Sequence, residues 1–310
     1  MRVTSNTYTN LILNSSQNEQ QQLATLQQQI SSGNSIQFAS DNPLGYQEAS
    51  QTQTSLDQLN TYSAAATQAN TMATTNNQAM TSLYQAVSQA SELATGVTSN
   101  MSTAQQQDVA IQMQSLLSQI VSISNQKSST GNYLFGGTSD QPPIDTTTQT
   151  YNAATNGEET SIDVQPNNAV QTGIVAGRSG SPPVNGFLYN STSGVDVIGS
   201  ITQTISDLNA GNASTVLSTD LPALNKALNN VSLYVGSTAA DMSAAQTANQ
   251  SLQQQITSQT DQLNALTQTN LPNESIQLQQ IQTQYQASLE VGTRIMSLSI
   301  LNYMSSVPGG

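Results

Sequence analysis

The sequence predicts a mainly α-helical protein: a long antiparallel helical bundle or coiled coil formed by both termini, with a small β domain inserted between its halves. Three observations carry this. Apolar residues recur in steps of three and four on both sides of the centre, the spacing of amphipathic helices. No proline lies between Pro43 and Pro142, so long helices meet no obligatory break there. The stretch from about 136 to 199 holds nine of the 18 glycines and five of the nine prolines, a density at which helices do not persist.

Leu23, Leu26 and Ile30 mark the first helix. Leu56 and Leu59, then Met80, Leu83, Val87 and Ala90, continue the pattern. Gly96 and the polar stretch to Gln107 form the expected turn. Val109, Met113, Leu116, Ile120 and Ile123 then alternate four and three, a heptad-like seam for a helical partner. In the glycine-rich stretch, residues 160–164, 169–176 and 186–189 read as short strands bounded by Gly, Asn and Pro. Helical spacing returns with Val197, Ile201, Ile205 and Leu208 and breaks at Gly211-Asn212. It resumes with Leu224, Leu228, Val231 and Val235, and a further helix runs through Met242, Ala245, Leu252, Ile256, Leu263 and Leu266. Pro272 interrupts the chain before a last helix carrying Ile276, Ile281, Tyr285, Leu289 and Ile295. Being compositionally separate, the insertion is expected to be removable between helix ends near Phe135 and Val197.

Both ends differ from an ordinary amphipathic helix. Leu11, Ile12 and Leu13, and Ile295, Met296, Leu298, Ile300, Leu301, Tyr303 and Met304, occupy more than one helical face. Burying a large apolar side chain is worth roughly 1.5 to 3 kcal/mol, so five left in water forgo on the order of 10 kcal/mol. The pattern implies a multi-subunit environment.

Composition points the same way. Gln, Asn, Ser and Thr make up about half the chain, and charged residues only 7%. A free-standing monomer usually carries more charge for solubility, whereas an uncharged polar surface suits a subunit lying against copies of itself. The net charge is −13, and Arg2, Lys127, Arg178, Lys226 and Arg294 are scattered singly, so phosphate neutralisation has no footprint and nucleic acid is not an expected partner.

There is no Cys, His or Trp, which removes thiol and imidazole chemistry and the usual zinc ligands. Neither lysine of the chain, Lys127 or Lys226, sits in a nucleophile motif. The densest acidic group, Glu158, Glu159 and Asp163, lacks the alternating spacing of a calcium loop and reads as a solvated turn. Gly177, Arg178 and Gly180 form no phosphate-binding pattern and read as turns. No catalytic, cofactor or metal site is expected, and the chain is not expected to be an enzyme. The run at 11–13 is too short for a secretory leader, and no run reaches membrane-span length, so membrane insertion is not expected.

Three stretches carry a resemblance. The first is Ile30-Ser-Ser-Gly33 through Ala39-Ser-Asp-Asn-Pro-Leu-Gly45; the second is Gly131-Asn-Tyr-Leu-Phe-Gly-Gly137; the third is Tyr285-Gln-Ala-Ser-Leu289 with Ile295-Met-Ser-Leu-Ser-Ile-Leu-Asn-Tyr303. They resemble the flagellin superfamily, in its hook-associated branch at the hook-filament junction, the second stretch most specifically. Asn42 and Pro43 stand where flagellins more commonly carry Asp and Ala, a variation that fits this branch.

The resemblance implies terminal helices 1–35 and 272–310 as an inner assembly domain, a helical domain of 36–135 with 195–271, and an outer β-rich domain of 136–194. It implies a junction protein of the bacterial flagellum, outside the cell, exported by the flagellar type III apparatus without a cleaved leader. Its implied partners are itself in a ring or helical assembly, the other hook-associated junction protein, flagellin, and a cytoplasmic export chaperone. The assembly interface is expected to use Leu11, Ile12, Leu23, Leu26 and Ile30 on the N-terminal helix. On the C-terminal helix, Tyr285, Leu289, Ile295, Leu298 and Leu301 are expected to serve assembly and chaperone binding. The alternatives are a short flagellin that forms the filament itself, a secreted surface adhesin or enzyme, and an exported membrane translocator.

Overall fold

The computed structural model describes the chain except residues 1–4, 129–130, 153–158, 179–182, 184 and 306–310, and the side chains at 5–6, 8–9 and 298–305. In chain order the elements are α1 (Ser5–Ser32), α2 (Pro43–Thr95), α3 (Thr103–Ser124), β1 (Ser161–Gln165), β2 (Asn168–Gln171), β3 (Tyr189–Asn190) and β4 (Val195–Asp196). Then come α4 (Val197–Asn209), a short α5 (Ala213–Thr215), a π-helical turn (Val216–Asp220), α6 (Leu221–Thr267) and α7 (Leu271–Ser305). The chain forms two compact units: a terminal unit, Met1–Gln58 with Ile256–Gly310, and a central unit, Leu59–Gln255. The fold is thus mainly helical with a small β insertion, as the sequence predicts.

In the central unit, α2, α3, α4 and α6 bury one continuous apolar core. Met80, Leu83 and Val87 of α2 meet Met113, Leu117 and Ile120 of α3, Ile201 and Leu208 of α4, and Leu224 and Val231 of α6. The seam on α3 is wider than the heptad reading, because Leu117 is fully buried and Leu116 only partly so. A capping box starts α3: Gln105 N donates to Ser102 Oγ at 3.3 Å, and Ser102 N donates to Gln105 Oε1 at 3.0 Å.

Among the described residues, buried apolar side chains of the insertion join the clusters formed by the helices. Phe135, Ile144, Phe187 and Leu188 belong to the same apolar cluster as the helices, and the rings of Phe135 and Phe187 meet edge to face at 4.8 Å. Buried amides bind the insertion to the helices: Asn76 Nδ2 on α2 donates to Thr172 O at 2.7 Å, and Asn230 Nδ2 on α6 donates to Phe187 O at 2.9 Å. The β1–β2 hairpin sets Val164 and Val170 against Ala66 and Ala69 of α2 and Ala245, Ala248 and Leu252 of α6. Alanine there lets the strands approach the helices closely. Removing the insertion would therefore also remove part of the core that the helices share with it.

Two further expectations differ in detail. The strand expected over 169–176 leaves the ladder after Gln171, because a Cβ at position 173 would lie 2.2 Å from Thr160 Oγ1, and Thr172 and Gly173 both donate N–H bonds to Thr160 O at 2.8 Å. Beyond this bend Val175 bridges Gly136, and Ala176 N donates to Phe135 O at 3.1 Å. The two helices expected over 224–266 are one, α6. Gly236 within it costs only about 1 kcal/mol relative to Ala, which the burial of Leu224, Val231, Ala245 and Leu252 outweighs.

Candidate assembly surface

In the terminal unit, α1 and α7 run antiparallel against each other. Near one end a Cβ on Gly292 would lie 3.2 Å from Ile12 Cγ2, so a small residue at 292 sets how closely the helices approach. Further along, Ser288 Oγ donates to Glu19 Oε1 at 3.0 Å, and Ser15 Oγ donates to the same oxygen at 3.2 Å. At the far end the connections between helices pair: Ser35 N donates to Thr267 O at 2.7 Å, and Thr269 N donates to Gly33 O at 2.9 Å.

Local sequence explains how the chain enters these helices. Gly33 adopts φ +73°, past the end of α1, where glycine carries no Cβ penalty. Asp41 closes the connector: its Oδ2 accepts from Phe38 N at 2.9 Å and Gln37 N at 3.2 Å, and these backbone donors hold its carboxyl below the usual carboxylate range. Asn42 Oδ1 accepts from Gly45 N at 3.0 Å, an N-cap, and Pro43 takes the first helical position of α2, where its fixed φ suits the helix and no N–H is needed. The Asn-Pro pair is thus a helix-start device. Gly45 leaves room for its neighbours, since a Cβ there would lie 2.7 Å from both Asn42 Nδ2 and Ile36 Cδ1 and push those side-chain ends aside. Asn270 Oδ1 plays the same part for α7, accepting from Asn273 N at 3.2 Å, with Pro272 in the first turn rather than ending a helix.

The two units differ sharply in what they bury. Among the described residues, only Leu26 and Ala49 of the terminal unit count among the buried apolar side chains. Conversely, ten of the twelve large apolar side chains most exposed to solvent lie in this unit, the exceptions being Ile111 and Leu233. Such a concentration calls for an explanation that apolar residues exposed singly do not.

The expected interface residues sort along this surface. Leu26 is buried, and Ile12, Leu23, Ile30, Tyr285 and Ile295 are half-buried. Leu11 is 66% exposed and Leu289 46%. The side chains of Leu298 and Leu301 lie outside the described residues. Ile12, Leu13, Leu289, Ile295 and Met296 line an apolar groove of about 210 Å³ between α1 and α7. The sequence reading did not assign Phe38, Leu44, Tyr46, Leu271 and Val291 to the surface, yet all are exposed. The signal available for the first three was their apolar content, at Phe38 inside the polar connector and at Leu44 and Tyr46 in the first turn of α2.

Among the described residues no group of three or more His, Cys, Asp or Glu could hold a metal ion. Glu159 is exposed and accepts a bond from Gln171 Nε2; Glu158 lies outside the described residues. Arg178, at φ +74°, pairs with Asp196 at 3.0 Å and stacks over the rings of Tyr189 and Tyr151. Tyr151 is pushed well above the usual phenol range by burial and by the neighbouring Asp196 charge, so it stays neutral, and its single O–H proton is shared between Leu188 O and Asp196 Oδ1, each at 3.0 Å. This cluster anchors the insertion to the start of α4. No described helix is long and apolar enough to cross a membrane.

Residues 3–140 match the family model described as the bacterial flagellin N-terminal helical region. No curated protein matches the chain. Among solved structures, a candidate flagellar hook-associated protein from Vibrio parahaemolyticus is 13% identical and superposes with a TM-score of 0.63, over 74% of this chain and 100% of that one. A protein from Bacillus cereus, FlgL, is 16% identical with a TM-score of 0.57, over 69% of this chain and 99% of that one. Flagellar hook-associated protein 3 from Legionella pneumophila is 12% identical with a TM-score of 0.57, over 70% of this chain and 98% of that one. At these identities the likeness is one of fold.

Proposed function

We propose that the chain is a hook-associated member of the flagellin superfamily, a structural component of the bacterial flagellum that joins hook to filament by assembling with neighbouring subunits. The observation that carries this reading is the terminal unit's exposed apolar surface, set beside a central unit with a complete core. The match of residues 3–140 and the shared fold of hook-associated proteins support it.

The physical account is a division of labour. The central unit folds on its own core and supplies rigidity. Helices α1 and α7 satisfy part of each other's apolar surface and leave the remainder for neighbouring subunits. On this reading residues 1–35 with 272–310 form the inner assembly domain, and 136–194 face outward. Leu11, Ile12, Leu23, Leu26 and Ile30, with Tyr285, Leu289, Ile295, Leu298 and Leu301, make the subunit contacts. The neighbours are further copies of the chain, the other hook-associated junction protein and flagellin. The C-terminal helix also meets an export chaperone before passage through the flagellar type III apparatus. The protein is not an enzyme on this reading; its work is mechanical.

A strain lacking the gene tests this. It should carry hooks without filaments and release flagellin into the medium, and the gene supplied in trans should restore filaments. Normal filaments in the deletion strain would overturn the proposal. The family model describes flagellins as a class, which keeps the short-flagellin reading as second. That reading requires the purified chain to polymerise alone into long fibres, and a junction protein should not.

A further inference from the structure

Asp207, near the end of α4, and Asp220, at the end of the π-helical turn, bring their carboxyls within hydrogen-bonding reach of each other inside the central unit. Both are buried, Asp207 at 9% exposure and Asp220 at 3%. Their surroundings are unequal. Gln203 Nε2 donates to Asp207 Oδ2 at 2.8 Å and Asn212 Nδ2 donates to Asp207 Oδ1 at 3.3 Å, whereas Asp220 Oδ2 is enclosed with no donor among the described residues. The backbone is irregular at this point: Leu221 N donates to Val216 O, five residues back, a π turn of the kind that often accompanies special sites.

We propose that Asp207 and Asp220 form a proton-sharing carboxyl pair that latches the α4 to α6 junction in mild acid and loosens it near neutrality. Two carboxylates confined together cannot both ionise cheaply, so one proton is retained between them. The unequal donors decide where it sits: amides serve the charge on Asp207, and the proton stays on Asp220, which then donates to its partner. Burial first and the Asp207 charge second push Asp220 up to about 6. No other charge bears on it among the described residues. Asp108 on α3 and Lys226 on α6 are both exposed, and neither contributes to its shift.

The sign follows from linkage. Asp220 is raised above its ordinary value of 3.8, so its contribution is fully present below about pH 3.8 and is lost as pH rises through about 6. From pH 5 to 7.5 the folding equilibrium constant of the central unit should fall about tenfold from this group. Asp241, raised by burial and by Glu159, acts in the same direction, whereas Asp145, lowered by backbone N–H donors from Thr148 and Thr147, acts only at lower pH.

The test is urea unfolding of the purified full chain at pH 5 and pH 7.5, for wild type, Asp220→Asn, Asp207→Asn and, as a control, Asp145→Asn, whose lowered carboxyl stays charged across this range. Wild type and Asp145→Asn should both show a step of about tenfold or more, and Asp220→Asn should lose the tenfold part of it. Asp207→Asn should shrink it by removing the like charge, which keeps the test open if Asp220→Asn does not fold. A carboxyl ¹³C titration of Asp220 in the folded chain should have its midpoint near 6. An unchanged step in Asp220→Asn, or a midpoint below about 4.5, overturns the proposal. This inference stands apart from the flagellar reading, since it concerns only the central unit.

Discussion

Changing Leu289 to Asp separates a role in folding from a role in assembly. Leu289 lies on α7 beside the groove shared with α1 and is 46% exposed in the isolated chain. About half of its burial is therefore already made, and losing it costs the free chain about 1 kcal/mol, half the usual value for a fully buried leucine. That loss is confined to the terminal unit, because Leu289 has no place in the central core. Against neighbouring subunits the same change buries an unpaired carboxylate at about 3 to 5 kcal/mol, a hundredfold or more in each contact. Leu233→Asp is the control, being an equally apolar residue that is 73% exposed in the central unit. The assay combines thermal unfolding of the purified variants with filament counts on cells, and export is measured separately from the amount of protein released. Leu289→Asp should unfold its central unit at the wild-type temperature, be exported, and fail to hold filaments, while Leu233→Asp should hold them. An exported Leu289→Asp protein that retains filaments refutes the reasoning, as does a fall of more than about 5 °C in central-unit melting.

Three further outcomes follow from the geometry. Phe187→Ala removes a fully buried ring packed against Phe135 and Tyr234, and should destabilise the central unit by about 3 to 5 kcal/mol in urea titrations. Replacing residues 142–192 by a short Gly/Ser linker should likewise destabilise the helices, because Ile144, Phe187 and Leu188 leave the shared core; an unchanged urea midpoint would show the insertion to be dispensable. The amide resonances of Gln37 and Phe38 should follow Asp41 with a midpoint below 3.8, since their N–H donors favour its charged form, so the connector is held above that pH and released as acid protonates the carboxylate.

Much of this fold was legible because helical periodicity is a strong local signal. Met80, Leu83 and Val87 are spaced as a buried helix face and are buried. The insertion was harder to read. Its short strands depend on long-range partners, as when Ala176 binds the carbonyl of Phe135, and spacing alone carries no trace of that pairing. The unity of α6 is not evident in the sequence because the apolar spacing lapses between Val235 and Met242, where Gly236 lies, although a lone glycine yields to tertiary burial. At the terminal surface, apolar residues on several faces were readable at Leu11 and Leu13. Phe38, in the connector, and Leu44 and Tyr46, at the start of α2, were not, because their exposure is a property of the folded chain.

The central claim, that α1 and α7 await neighbours while the central unit is complete, is tested most directly by amide hydrogen exchange on the free chain and on assembled hook-filament preparations. In the free chain, amides of α2 and α6 around Leu83 and Val231 should exchange slowly, with protection set by global unfolding, and those of α1 and α7 around Leu11 and Leu289 should exchange orders of magnitude faster. Assembly should slow the second set to the level of the first. Protection of Leu11 and Leu289 in the free chain equal to that of Leu83 would contradict the account, for it would mean that each subunit completes its own terminal core.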